Sequence, residues 1–211
     1  IHKLNINSFF DTTFIQTGDL FNLGGHNEKW LLPAIDVKKI SPCYKKVGSI
    51  LKIAHYPSNA SVKNTAVICS IVNKMHNSLS GFEFDCNTDK VPHVENLKRM
   101  SMADVYIEHQ KFKLRGCTYG EFGVTALEAA AVGSIVVTCT KLKDRYKKEY
   151  GEFMPYISNS EKDLKRIIKR INNLKEKEII QKQKKTRQWV CDNHSYEQMG
   201  KRLLQAYDDI S

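Results

Sequence analysis

The sequence predicts an α/β protein, a Rossmann-like parallel sheet with helices on both faces, carrying a helical tail at its C-terminal end. Three observations predict it. Short β-branched and aromatic runs alternate with helical patterns through the middle of the chain. The run Ile135-Val136-Val137 is apolar at every position and reads as a buried parallel strand. A Gly-rich turn ending at Gly123 opens an Ala-rich helix, and Gly133 closes it.

Taken in order, Phe14 to Gly18 and Lys29 to Asp36 read as short strands separated by a turn containing Gly25, with Pro33 ending the second. Five strands are expected at 52–56, 82–86, 104–108, 135–139 and 154–157. Helical patterns fall between them at 65–78, 94–100, 124–132 and 141–150. A helical tail is expected from 161 to 207, broken near Asn172-Asn173 and at Asp192 to His194. In its last piece Tyr196, Met199, Leu203 and Tyr207 fall on one face, the stripe of a helix packed on a neighbour.

Composition bounds the class. With 211 residues, 41% of them hydrophobic and 27% charged, the chain can bury the core of one α/β domain. No segment approaches the roughly 18 to 20 apolar residues needed to span a membrane, and no leader peptide is read before the first strand. Cys43, Cys69, Cys86, Cys117, Cys139 and Cys191 are scattered without Cys-x-x-Cys spacing, so they read as reduced thiols of a cytoplasmic protein. His55, His76, His93, His109 and His194 lack metal-ligand spacing and read as structural or exposed. His109 follows a strand and would sit at the carboxyl edge of the sheet, where ligands bind.

The net charge of +10 is concentrated between Lys141 and Lys148 and in the tail. Attraction to anionic lipid is one reading, nucleic-acid binding a second. The favoured one is a solvated helix face, with Glu161 and Glu178 each one turn before a lysine, Lys165 and Lys182. No aromatic stacking platform interleaves the lysines, which disfavours nucleic acid.

The turn before the Ala-rich helix carries the chemistry. The first turn of a helix presents unpaired N–H groups and the positive end of the helix dipole, and Gly123 leaves room for a diphosphate to approach them. Glu128, further along the helix, is placed to accept hydrogen bonds from a ribose diol. Glycine at either end of a helix is also ordinary punctuation, and Glu128 reads equally as a solvated helix residue.

The run Tyr119-Gly120-Glu121-Phe122-Gly123-Val124-Thr125-Ala126-Leu127-Glu128 resembles the signature of the donor-binding domain of glycosyltransferase family 4, the retaining GT-B enzymes, whose motif is Glu-x7-Glu. The resemblance extends to Leu51 to Asn59 with Lys63-Asn64-Thr65, to Ala103-Asp104-Val105, and to the closing stretch from Trp189 to Tyr196, covering roughly residues 30 to 210. It implies that Lys63 and the N–H groups of Gly123, Val124 and Thr125 hold the diphosphate, that Glu128 holds the ribose, and that the base packs near Val91. Glu128 aligns with the second glutamate of the motif, which leaves Gly120 on the first and Glu121 one position late. Either the loop shifts so that Glu121 contacts the donor sugar, or backbone groups around Gly120 and Phe122 hold it. Lys63 and Glu121 are the catalytic residues implied. The arginine that accompanies the loop lysine in the family has no counterpart between Ser58 and Ser61.

By the same resemblance, residues 1–48 end an acceptor domain and its linker, 49–192 form the nucleotide-sugar domain, and 193–211 the closing helix. The chain begins with Ile1 and reads as one half of a two-domain enzyme. Asp208-Asp209 is no metal-binding Asp-x-Asp, so metal-independent transfer is expected, without a cofactor, from a UDP- or GDP-sugar to a glycan, lipid-linked or protein acceptor, as in polysaccharide biosynthesis. Peripheral contact with the inner face of a membrane stays open. The alternatives are a degenerate donor domain serving as a binding or assembly module, and a sugar-nucleotide epimerase of the same fold.

Overall fold

A computed structural model of the chain describes residues 10–21, 27–110, 113–114, 117–118 and 121–209. The expected turn at Gly25 and the motif position Gly120 lie outside the described residues.

Eight elements, apart from a small hairpin, build the middle of the chain. They are β3 (Leu51–His55), α1 (Ala60–Lys63), α2 (Thr65–Ser78), β4 (Phe82–Cys86), α3 (His93–Ser101), β5 (Val105–Ile107) and, after a small hairpin, α4 (Val124–Ala131) leading into β8 (Ile135–Thr138). The hairpin strands are β6 (Lys113–Leu114) and β7 (Cys117–Thr118), paired antiparallel. After β8 come α5 (Lys143–Tyr150), β9 (Tyr156–Ile157), α6 (Glu161–Asn172), α7 (Glu176–His194) and α8 (Tyr196–Asp208). The expected breaks in the tail thus fall between α6 and α7 and between α7 and α8.

Strands β4, β3, β5, β8 and β9 form one sheet in that order, every neighbouring pair parallel. Alternation along the strands splits the core into two layers, because successive side chains leave opposite faces. Ile53, Val105, Ile107, Ile135 and Val137 pack with Ile68 and Val72 of α2 and Leu164, Ile168 and Ile171 of α6. Ala54, Tyr106 and Val136 pack on the other face with Met100 of α3, the alanines of α4, and Trp189 of α7. A strand covered on both faces is apolar along its covered length, which is why β8 begins Ile-Val-Val, while the hydroxyl of its last residue, Thr138, is satisfied by a buried carboxylate.

Gly133 shows why the helix before β8 ends in glycine. Its φ is +96°, and an added Cβ would lie 3.0 Å from the Tyr44 ring and 3.2 Å from the Cys43 carbonyl.

The N-terminal segment shares the second core layer. Two short strands, β1 (Thr13–Ile15) and β2 (Glu28–Trp30), pair parallel. Trp30 is buried against Phe21, Phe122, Tyr146 and Tyr150, and Tyr150 Oη donates to the Trp30 carbonyl at 2.7 Å. Ile35 N donates to His194 O and Tyr196 N to Ile35 O, which fastens this segment to the junction of α7 and α8.

Two expectations about the tail need correction. On α8 only Met199 and Ala206 are buried, while Tyr196 and Tyr207 are 61% and 55% exposed, so the aromatic stripe is not core. The expected pairs Glu161 with Lys165 and Glu178 with Lys182 do not form among the described residues; Glu178 instead accepts from the Lys175 backbone N–H at 2.8 Å. A carboxylate in the first turn of a helix gains more from an orphan N–H than from an exposed lysine. No helix of the described residues is long and apolar enough to cross a membrane.

Candidate functional site

Numbered by their order along the chain within the sheet, the five strands lie 2-1-3-4-5, so the winding direction reverses between β3 and β5. Loops leaving the carboxyl ends of those two strands diverge to opposite faces and open a crevice, the place where ligands bind in open α/β sheets. Three segments converge there: the turn carrying Lys63 after β3, residues 108–110 after β5, and the start of α4.

The Lys63 turn is held by local chemistry. Asn59 Oδ1 caps α1 by accepting from Val62 N at 3.1 Å, and Asn64 adopts a left-handed conformation with φ +59° that splits α1 from α2. Asn64 Nδ2 donates to Gln110 O at 2.8 Å, and Gln110 N to Lys63 O at 3.3 Å. These bonds tie the turn to the segment after β5. His55, at the end of β3, braces it from below. Its Nδ1 lies 2.7 Å from the Ile107 carbonyl, which only accepts, so Nδ1 carries the proton and Nε2 accepts from Thr65 Oγ1 at 2.9 Å. Burial, with the charges of Lys63 and His109 nearby, lowers His55 to about 4 and keeps it neutral.

Glu108 is the centre of the site. Its carboxylate is fully buried, with Lys63 Nζ and Gly123 N each 3.0 Å from Oε1, and Thr138 Oγ1 2.7 Å and His109 Nδ1 3.2 Å from Oε2. Burial alone would raise its pKa, but the Lys63 and His109 charges and the Thr138 hydroxyl hold it well below the usual carboxylate range. Burial would lower His109, yet the Glu108 carboxylate outweighs it and lifts this histidine to about 9. Two cations then face one carboxylate, and the cluster keeps one net positive charge beside the N-terminus of α4.

That arrangement revises how Gly123 works. Its backbone is extended, and a Cβ there would sit 3.3 Å from Glu108 Oε1. The clearance expected for a diphosphate is taken, at Gly123 itself, by the protein's own carboxylate. Val124 and Thr125 form the first turn of α4 beyond it, where N–H groups have no intrahelical acceptor.

Glu128 lies one turn further on α4, with Oε1 2.6 Å from His93 Nε2 at the start of α3. Both border a groove of about 610 Å³ whose walls include Val94, Leu97, Val124 and Tyr196. Val94 and Val124 are 78% and 45% exposed. Val91 is half-buried just ahead of α3.

The remaining expected residues are placed elsewhere. Glu121 accepts from Thr140 Oγ1, and its Oε1 from Lys141 N at 3.1 Å, so it straps the loop after β8. The Phe122 side chain is core, 3% exposed among Trp30, Tyr146, Phe153 and Trp189. Only its backbone is available to a ligand.

Sequence reasoning placed Glu108 in a strand and gave it no role. The signal was present: a carboxylate directly after Val105-Tyr106-Ile107, three residues fully covered by helices, has to be paired inside the protein. His93 had no such signal, since its partner stands 35 positions away.

A five-stranded parallel sheet of this order with helices on both faces is a Rossmann-like fold, and it matches that of GT-B glycosyltransferase structures. The chain is similar in fold to sucrose-phosphate synthase from Thermosynechococcus elongatus, at 14% identity and a TM-score of 0.60 over 95% of this chain and 58% of that one. It is also similar to Anabaena HepE, determined in complex with UDP and glucose, at 12% identity and a TM-score of 0.62 over 96% and 64%, respectively. A third similar structure is TarM, at 12% identity and a TM-score of 0.63 over 94% and 44%. The chain thus spans less than two thirds of the length of these proteins. No protein-family model and no curated protein matches the sequence.

Proposed function

We propose that the chain is the nucleotide-sugar-binding half of a glycosyltransferase that acts with retention and without a metal, as family 4 enzymes do. One observation carries the reading: Lys63 Nζ and Gly123 N meet on the Glu108 carboxylate at the start of α4, the helix that carries Glu128 further along, although Lys63 and Gly123 lie 60 positions apart in sequence. Lys63 and the N–H groups of Val124 and Thr125 bind the diphosphate, and the helix dipole offsets the charge that grows on it as the glycosidic bond breaks. The net positive charge left by Lys63, Glu108 and His109 draws the anion in. Glu128 takes the ribose hydroxyls, and the base lies along Val91 and Val94. UDP is the first nucleotide to test, because HepE was determined with UDP and with UDP-glucose.

A second reading is favoured by a specific observation. Glu108 already occupies Gly123 N and Lys63, and Glu121 is committed to Thr140 and Lys141. A donor-like domain whose anion site is filled by its own carboxylate would serve as a binding or assembly module.

Calorimetric titration with UDP, GDP and their sugar conjugates, with and without magnesium, separates the two. Binding of one nucleotide, indifferent to magnesium and weakened in Glu128→Ala, supports the transferase. Absence of binding to every nucleotide supports the module.

A further inference from the structure

We propose that Cys69 and Cys86 are a redox pair that closes into a reversible disulfide between α2 and the carboxyl end of β4. Their Sγ atoms lie 2.7 Å apart, closer than two indifferent thiols need to be and within a small side-chain adjustment of the covalent S–S separation of about 2.05 Å. The contact arises from the fold. Cys86 is the last residue of β4, paired in register with His55, and Cys69 lies in the second turn of α2, which packs on β4. Both thiols are free and only half-buried, so a small oxidant can reach them. This departs from the reading of all six cysteines as independent reduced thiols.

The order of events follows from the surroundings. Burial, the Cys69 thiol and the Asp85 carboxylate push Cys86 up to about 12, so Cys69 is the entry point for the oxidant. The Cys69 thiolate attacks one sulfur of a low-molecular-weight disulfide such as oxidised glutathione, forming a mixed disulfide and releasing one glutathione thiolate. Capping Cys69 removes one of the contributions that raise Cys86, leaving burial and Asp85. Cys86 then loses its proton and attacks Cys69 Sγ, the mixed S–S bond breaks, and the second glutathione leaves as a thiolate. Two protein thiols have given up two electrons, and one disulfide has become two thiols. The new bond closes a loop spanning 17 positions and pins the half of α2 that directly follows Lys63 and Asn64.

The test equilibrates the whole chain in glutathione buffers of rising oxidised fraction, quenches in acid, alkylates free thiols and maps peptides by mass spectrometry. The expected result is a linked Cys69–Cys86 peptide that appears with a two-electron midpoint and disappears on adding dithiothreitol. The oxidised form should melt about 6 to 12 °C above the reduced form. In C86S the linked peptide should vanish and Cys69 should carry glutathione instead. Alkylation of both cysteines in the most oxidising buffer, or linkage of either to a different cysteine, would overturn the proposal. The wild-type measurement decides the matter even should C86S fold poorly.

Discussion

Lys63 Nζ lies 3.0 Å from the Oε1 of Glu108, and the same oxygen accepts the Gly123 N–H at 3.0 Å. One buried carboxylate therefore fixes both the lysine and the helix start that a diphosphate would use. Replacing it with alanine strands two cations in the interior, so Glu108→Ala should cost about 3 to 5 kcal/mol of stability in urea unfolding. Glu108→Gln keeps an acceptor for Gly123 N and should cost less. Equal stability of Glu108→Ala and the wild type would show that the cluster is hydrated and weakly coupled.

Lys63→Ala should lower affinity for a nucleoside diphosphate more than for the nucleoside monophosphate. Charged hydrogen bonds contribute about 1.5 to 3 kcal/mol, and only the diphosphate places an anion near this lysine. Titration of the variant with UDP and UMP measures the difference, and equal losses for both ligands would place Lys63 elsewhere in the complex.

Glu128→Ala should weaken nucleotide binding by roughly 1 to 3 kcal/mol while leaving the melting temperature nearly unchanged, since its partner His93 is exposed. His93→Ala frees the carboxylate from its 2.6 Å contact and should leave affinity equal or higher. A large loss on His93→Ala would mean that this imidazole itself touches the ligand.

Stability should peak near pH 6.5. His55 and His194 are held down to about 4 and about 3, in each case first by burial. Below pH 6.5 the unfolded chain protonates both and the native chain does not, so the unfolded state binds more protons and stability falls as pH drops toward those values. His109, raised to about 9 by Glu108 against its burial, acts in reverse. Its contribution is complete below 6.5 and is lost as pH rises through 9. Each histidine changes stability by about 1.4 kcal/mol per pH unit inside its window. Urea midpoints at pH 5, 6.5 and 8.5 check the profile, and a flat profile would refute the burial of these rings.

Gly133→Ala should destabilise the fold by about 1 to 3 kcal/mol, through a φ of +96° that alanine disfavours and a Cβ pressed to 3.0 Å from Tyr44. Thermal melts of the variant test it. An unchanged melting temperature would mean that the turn relaxes.

Much of the architecture was legible along the chain, because helices and parallel strands leave local periodicity. The run from Thr65 to Ser78 is recognisably helical and Phe82 to Cys86 a strand, and both stand as expected. Gly133 announced the end of α4 because only glycine takes that backbone angle without strain. The exposed face of α8 misled, since Tyr196 and Tyr207 share the helical stripe of Met199 yet stay 61% and 55% exposed, Tyr207 meeting only the edge of Phe14 among the rings described.

The sequence alone determined the fold class, the places of the sheet strands and of the helices between them though not of α1 or the β6–β7 hairpin, and, through the resemblance it carries, the choice of Lys63, Gly123 and Glu128 as residues of interest. Tertiary structure alone decided what these residues face. Glu108 is paired with a lysine 45 positions earlier and a threonine 30 later, and Cys69 meets Cys86 across a helix and a strand. Periodicity encodes which side of an element is buried, whereas the partner across the interface is set by strand order and by the reversal between β3 and β5, and neither leaves a local mark on the chain.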